Sequence, residues 1–208
     1  MNGTAHVACG AASGFIVANY VQATPTTTMI LVGLGAVAGL VPDLDIDGTL
    51  RGRITLSHKA TKSIAQIIGI MIIIYSLYEG TLDEKIRGVG IGALMIVISS
   101  RIKQKHMLTI TGVGVVLGGV SLGELWMLLF GIYTILASFV SHRSYTHSII
   151  GVIFFGYIGL ELQKSLHIPG VFYTCFIAYC SHLLLDMKLI PNNKKGIKLF
   201  LPISSKEI

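Results

Sequence analysis

Histidine and aspartate side chains at four places in the chain have the donor atoms that a metal site needs. They are His6, Asp43, Asp45, His142, His147, His182 and Asp186. Imidazole nitrogens and carboxylate oxygens without thiolates suit zinc, manganese or iron. More than four such donors would suit two ions, which can activate a water and stabilise both oxygens of a phosphoester displacement.

The spacing of His182 and Asp186 predicts that the two side chains lie on one face of a helix. They stand four residues apart, which is about one helical turn. Two ligands of one metal often have this spacing. The alternative is a histidine–aspartate hydrogen bond that ends a helix at the membrane interface.

The acidic segment that contains Asp43, Asp45 and Asp47 follows Pro42, which we expect to end the second helix. Its carboxylates accept but cannot donate hydrogen bonds, as a divalent cation requires. Asp43 and Asp45 share a side only if this segment is extended, because an extended chain has a period of two. The alternative is an acidic turn at a helix end.

His142 and His147 are five residues apart, too far for stacking on a continuous helix. A turn through Ser144 would bring the two imidazoles together. Arg143 between them is suited to bind a phosphate or a carboxylate. The alternative is a basic cytoplasmic loop, and His58 likewise is either an additional ligand or part of such a loop.

The composition of the chain indicates that these residues belong to a membrane protein. The 208 residues are 52% hydrophobic and 12% charged, and the mean hydropathy is +0.74. Soluble domains have about 25% charged residues, so this chain has too few charges to cover a water-facing surface. The isolated Cys9, Cys175 and Cys180 indicate small buried residues and not a disulfide framework.

The apolar segments predict an all-α transmembrane bundle that forms a single integral membrane domain over residues 1–208. We expect eight spans, with six or seven as alternatives. The candidates are 6–22, 28–41, 64–78, 88–100, 107–120, 124–140, 147–161 and 168–186. Several are shorter than the roughly 20 residues of a usual span. Glycine patterns such as Gly33–Gly39 and Gly112–Gly119 indicate close helix contacts, or a tolerance of glycine in lipid.

The distribution of basic residues predicts the orientation. With eight crossings, thirteen of the sixteen Lys and Arg residues lie on the side that holds both termini and the loops 42–63, 101–106 and 141–146. Such a bias places that side in the cytoplasm. The net charge of +6 therefore indicates basic loops and not a nucleic-acid partner. All four donor regions then lie at the cytoplasmic face, where unpaired ionisable groups are costly and mark functional sites.

The order of these motifs resembles the YdjM-like family of membrane-bound metal-dependent hydrolases. The resemblance is carried by His6, Pro42-Asp43-Leu44-Asp45, the segment 142–148, His182 with Asp186, and the closing Gly196–Pro202. In this chain Ser144 and Tyr145 separate Arg143 from Thr146, where the family has a glycine and one variable residue. The family is considered distantly similar to zinc-dependent phospholipase C and single-strand nucleases.

The resemblance implies a multi-pass enzyme of the inner membrane with a divalent metal, zinc first and manganese or iron as alternatives, in one to three ions. His6, Asp43, Asp45, His142, His147, His182 and Asp186 would then be metal ligands or the base. We expect Asp45 to accept a proton from the attacking water and Arg143 to stabilise the developing charge. The expected substrate is a phosphoester of a membrane lipid or lipid-linked molecule.

Two other classes of protein remain open from the sequence. The same polar residues would serve a transporter or an ion-conducting protein, although carriers place such sites near the membrane midplane. A non-catalytic membrane protein would use the metal only to fix helix ends.

Overall fold

The computed structural model describes residues 3–46, 52, 54–79, 81–188 and 195–208. In this part of the chain the protein is all-helical and has no strand. The α-helices are α1 (Gly3–Tyr20), α2 (Pro25–Ala38), α3 (His58–Tyr78), α4 (Leu82–Ser100), α5 (Gln104–Leu122), α6 (Leu125–Phe139), α7 (Ile149–Leu166) and α8 (Val171–Asp186). Two short 3-10 helices are η1 (Val41–Asp45) and η2 (Tyr145–His147). The predicted helical bundle is confirmed, and each predicted apolar segment coincides with one α-helix.

Capping residues decide where the helices begin. Thr24 accepts a hydrogen bond from the Thr27 amide ahead of Pro25, and Ser148 accepts one from the Gly151 amide at the start of α7. At α4 the Glu84 carboxylate accepts from the Thr81 amide, which completes a capping box. These polar first turns explain why α3 and α4 begin before the apolar runs that start at residues 64 and 88.

The segment after α2 differs from the prediction in two respects. The helix ends at Ala38 with Gly39 as its C-cap, so Pro42 does not end it. Pro42 instead stands at the beginning of η1, where a proline costs no hydrogen bond. Asp43 and Asp45 therefore lie on a 3-10 turn and not on an extended strand. With three residues per turn, their side chains point in different directions.

The described residues form two compact units, one from those in 3–46, 108–188 and 195–208 and the other from those in 52, 54–79 and 81–107. The expectation of a single membrane domain over residues 1–208 stays a prediction. The first unit contains every residue of the predicted site.

The first unit is built around α8, which packs against α1, α2 and α7. Along α8 the side chains of Val171, Cys175, Ala178 and Tyr179 are at most 1% exposed. An apolar helix enclosed on three sides holds its side chains in fixed rotamers. Donors at the end of α8 are therefore presented on a rigid support.

Helices α1 and α2 approach until their backbones touch. A Cβ atom on Gly10 would lie 2.2 Å from the carbonyl oxygen of Gly35, and one on Gly39 would lie 2.6 Å from that of His6. Only glycine permits this approach. Of the predicted pairs, Gly39 takes part, Gly33 has no neighbour within 4 Å, and Gly112 and Gly119 of α5 meet α6.

The second unit is a helical hairpin of α3 and α4 that crosses where Gly69 and Gly92 meet. Most of its apolar side chains are exposed, Ile64 and Met71 among them. His58 at the start of α3 contacts the Gln104 side chain through its Nδ1 at 2.6 Å.

Three of the described helices are long and apolar enough to cross a membrane, namely His58–Tyr78, Gln104–Leu122 and Ile149–Leu166. Pro25–Ala38, Leu125–Phe139 and Val171–Asp186 are apolar but shorter. Eight crossings, and the orientation that follows from them, stay predictions.

Candidate metal centre

The structure brings together donors from all four predicted regions of the chain. Helix α1 contributes His6, η1 contributes the two aspartates, the segment around η2 contributes His142 and His147, and the last turns of α8 contribute the remaining pair. Two groups of donor atoms result, and they share His147. The first is Asp43, His147, His182 and Asp186, and the second is Asp45, His142 and His147.

In the first group two imidazoles and two carboxylates converge. The Nε2 atoms of His147 and His182 are 3.2 Å apart, and each lies 3.5 Å from Asp43 Oδ1. Asp186 Oδ2 lies 3.7 Å from His147 Nε2 and 3.8 Å from His182 Nε2. The predicted pairing of His182 with Asp186 across one helical turn is therefore present.

Hydrogen bonds on the far side of each imidazole determine which nitrogen holds the proton. His182 Nδ1 lies 2.6 Å from the carbonyl oxygen of Gly39, which can only accept, so Nδ1 is protonated. The Thr146 hydroxyl donates to Asp45 Oδ2 at 2.6 Å and therefore accepts from His147 Nδ1 at 3.0 Å. Both Nε2 atoms then present lone pairs to the same point.

A tetrahedral metal ion fits this arrangement. Ligands that are each about 2.0–2.2 Å from zinc lie roughly 3.3–3.6 Å from one another. Five of the six pairwise distances in the first group are 3.2 to 3.8 Å, close to such a coordination shell, and all six are within 4.8 Å. Without a cation, four electron pairs would face one another with no proton between the two imidazoles. Second hydrogen bonds that fix the tautomer of a histidine are also typical of metal ligands.

The second group is organised by Asp45, which is buried. Its Oδ1 accepts from His142 Nδ1 at 2.9 Å, and its Oδ2 accepts from the Thr146 hydroxyl. A turn through Ser144 brings the rings of His142 and His147 to a centroid distance of 5.0 Å, as predicted. Because Nδ1 of His147 is engaged by Thr146, this group has fewer free lone pairs than the first.

His6 and Arg143 flank Asp186. The His6 ring stacks on His182 at 3.7 Å, and its Nε2 lies 3.4 Å from Asp186 Oδ1. Arg143 Nη2 lies 3.5 Å from Asp186 Oδ2, and its Nη1 donates to the carbonyl of Lys195. Among the described residues, the buried Arg143 Nε and His6 Nδ1 have no hydrogen-bond partner. The predicted roles of both residues stay predictions.

Electrostatics at Asp43 and His147 favour the protonation states that bind a cation. Burial opposes ionisation of Asp43, but its polar contacts with the imidazoles of His147 and His182 outweigh it and hold the pKa of its carboxyl well below the usual range. Burial lowers the pKa of His147, which favours the neutral imidazole. Burial also acts to lower the pKa of His142, but the hydrogen bond to Asp45 outweighs it and raises that pKa.

The sequence does not predict three groups that support the donor residues. The Tyr179 hydroxyl donates to the Thr146 carbonyl, and Tyr133 Oη lies 2.9 Å from Tyr179 Oη. The third group is the carbonyl of Gly39, which any helix end supplies. The one signal in the sequence was Thr146 beside His147, because a hydroxyl can donate to one group and accept from another.

The remaining three histidines stand apart from these two groups. His58 binds Gln104 in the second unit, and His106 accepts through Nδ1 from the Lys103 amide. His167 caps α7 in a left-handed conformation. Asp47 lies outside the described residues.

Comparison with known proteins gives one match. The family model described as YdjM inner membrane protein matches residues 1–208, the whole chain. Neither the curated proteins nor the solved structures give a match. This match agrees with the resemblance carried by the His and Asp motifs, and the chain belongs to the YdjM inner membrane protein family.

Proposed function

We propose that this protein is a membrane-embedded, metal-dependent hydrolase that cleaves a phosphoester of a lipid or lipid-linked substrate at the cytoplasmic face. The observation that carries the proposal is the convergence of two imidazole nitrogens and two carboxylate oxygens at 3.2 to 3.8 Å. We assign one divalent ion, zinc first, to Asp43, His147, His182 and Asp186.

A bound divalent ion supplies a lowered water pKa and positive charge for a phosphoryl oxygen. The protein contributes the remaining functions. Asp45 accepts the proton of the attacking water, and His142, which donates through Nδ1 to Asp45 Oδ1 at 2.9 Å, positions the carboxylate. Arg143, 20% exposed and beside Asp186, holds the anionic phosphoryl group and stabilises its charge.

Partial exposure of the site supports a catalytic role. The Asp43 side chain is 19% exposed and that of His142 is 33% exposed, whereas His147 and His182 are fully buried. One side of the donor group is thus accessible to a substrate while the other is rigid. Water could reach the ion from this exposed side as an additional ligand, since catalytic zinc can expand to five-coordinate.

Hydrolysis by purified protein tests the proposal. Bis(p-nitrophenyl) phosphate and a panel of lipid phosphoesters are incubated with zinc, manganese or iron. We expect metal-dependent product formation that falls at least about a hundredfold in Asp45→Asn, since general-base catalysis contributes about 10²–10⁴-fold. His106→Ala is the matched control, because its imidazole accepts from the Lys103 amide and belongs to neither donor group. If Asp45→Asn is as active as His106→Ala and the unmodified protein, the proposal is contradicted. It is also contradicted if no substrate is turned over with any of the ions.

A structural metal is the second candidate, and one observation favours it. Four protein donors around one point form a closed tetrahedral shell, which is typical of structural zinc. In that case Asp45→Asn leaves cellular function intact while metal stays bound. A transporter would instead move a solute across liposomes without forming a product.

A further inference from the structure

An apolar groove lies between α6 and α7 beside the metal centre. It has a volume of about 120 Å³. Leu136 and Ala137 line one wall, and Ile150 and Phe154 line the other. Leu136 is 55% and Ile150 46% exposed, so the groove is open along its length. All the residues that line it are uncharged.

The inner end of this groove is η2, the element that also supplies His147. Thr146 lines the groove and donates its hydroxyl proton to Asp45 Oδ2 at 2.6 Å. Its neighbour His147 belongs to both donor groups. The apolar groove and the polar site thus adjoin each other at one short helix.

We propose that this groove holds the hydrocarbon chain of a substrate whose phosphoryl group lies at the metal centre. This assignment rests on the proposed function, and the occupant of the groove is one hydrocarbon chain of an anionic amphiphile. Dispersion contacts of methylene groups with Ile150 and Phe154 favour binding. Arg143 gives the site a positive charge, and the residues that line the groove are uncharged. This distribution matches an anionic head joined to an apolar tail.

Binding of alkylphosphonates tests the groove without requiring turnover, because a carbon–phosphorus bond resists hydrolysis. Retention of hexadecylphosphonate and methylphosphonate by the full chain is measured by native mass spectrometry at one detergent concentration. We expect the hexadecyl compound to bind at least tenfold more tightly. Ile150→Trp, which fills the groove, should remove this preference, and Leu136→Trp on the opposite wall should do the same.

Ile153→Trp is the matched control, because Ile153 is 65% exposed on the same helix and does not line the groove. It should bind hexadecylphosphonate as the unmodified protein does. Equal binding of both phosphonates, or an unchanged preference in correctly folded Ile150→Trp and Leu136→Trp, overturns the proposal.

The two proposals fail differently. If the hexadecyl preference depends on Ile150 but no phosphoester is cleaved, the groove is supported and hydrolysis is contradicted. If a soluble phosphoester is cleaved while Ile150→Trp keeps the preference, hydrolysis stands and the groove is overturned.

Discussion

The two ring nitrogens of His147 face different partners, and this division organises the site. Its Nε2 lies among Asp43, His182 and Asp186, whereas its Nδ1 contacts the Thr146 hydroxyl. Because Thr146 donates to Asp45, a buried carboxylate sets the tautomer of a candidate ligand through one hydroxyl. Because Thr146 acts on His147 in this way, a substitution of Thr146 tests the site as well as a substitution of a metal ligand does.

Thr146→Val should weaken metal binding without removing a ligand. The valine keeps the shape but cannot accept from His147 Nδ1 or donate to Asp45, so the imidazole loses its fixed orientation. We expect metal affinity to fall about 10–100-fold, as for other orienting partners. A competitive chelator titration measures the change.

Thr134→Val is the control for this prediction. Thr134 is also buried, but its hydroxyl donates to the Phe130 carbonyl within its own helix. Its substitution should leave metal affinity unchanged. Equal affinities in the Thr146 and Thr134 variants would show that Thr146 does not orient His147.

At the residue scale, the sequence predicts which side chains converge but not how they are arranged. The spacing of His182 and Asp186 is sufficient to place both on one helical face. The relation of Asp43 to Asp45 could not be predicted, because it depends on η1 being a 3-10 turn and not an extended segment. The tautomers depend on Gly39 and Thr146, and these contacts exist only after α2 and η2 have packed.

The packing of α1 against α2 positions two groups of the site. Their contact at Gly10 and Gly35 brings His6 to Asp186 and places the Gly39 carbonyl against His182. The collision that a larger residue would cause is with backbone, which cannot rotate away.

Gly10→Ala should therefore destabilise the protein and reduce its metal content. Its Cβ would lie 2.2 Å from the Gly35 oxygen, and overpacking of this kind costs about 1–3 kcal/mol or more. Thermal unfolding in detergent, with metal content measured in parallel, tests this. Gly33→Ala on the same helix pair has no neighbour within 4 Å and should be neutral or slightly stabilising. A Gly10→Ala protein as stable as Gly33→Ala would contradict the packing argument.

Helix α8 supports η2 through Tyr179. Tyr179→Phe removes the donor to the Thr146 carbonyl and the partner of Tyr133, so we expect a loss of about 1–3 kcal/mol in the free energy of unfolding. Chemical denaturation measures it. Tyr173→Phe, on an exposed part of the same helix, should change little. If both substitutions have the same effect, the Tyr179 hydrogen bond does not stabilise η2.

At the element scale, hydrophobic runs are sufficient to predict the helices but not their ends. The apolar run of α3 begins near residue 64, whereas Ser57 caps a helix that begins six residues earlier, at His58, and leaves Lys59 and Lys62 inside it. The end of α2 at Ala38 likewise follows from Gly39, while the sequence draws attention to Pro42. At these two helix ends the local capping residue, and not the hydrophobic composition, determines the boundary.

For the whole molecule, the charge distribution predicts that both termini and the metal centre lie in the cytoplasm. A cysteine-free chain, with Cys9, Cys175 and Cys180 replaced by serine, allows single cysteines to report their side. We expect a membrane-impermeant maleimide to label Glu79→Cys in intact cells, and to label Thr4→Cys and Ser205→Cys only after permeabilisation. Labelling of Ser205→Cys in intact cells would contradict the orientation.

The YdjM inner membrane protein family model matches the whole chain, and the His/Asp cluster of the described residues could hold a metal ion. Metal analysis of the protein purified without chelators tests this most directly. We predict about one equivalent of zinc or a similar divalent ion per chain, as for a tetrahedral site. The double variant His147→Ala with Asp186→Ala should hold none, and His58→Ala should hold the normal amount. Purified protein without any metal, or equal metal in the double variant, would contradict the account.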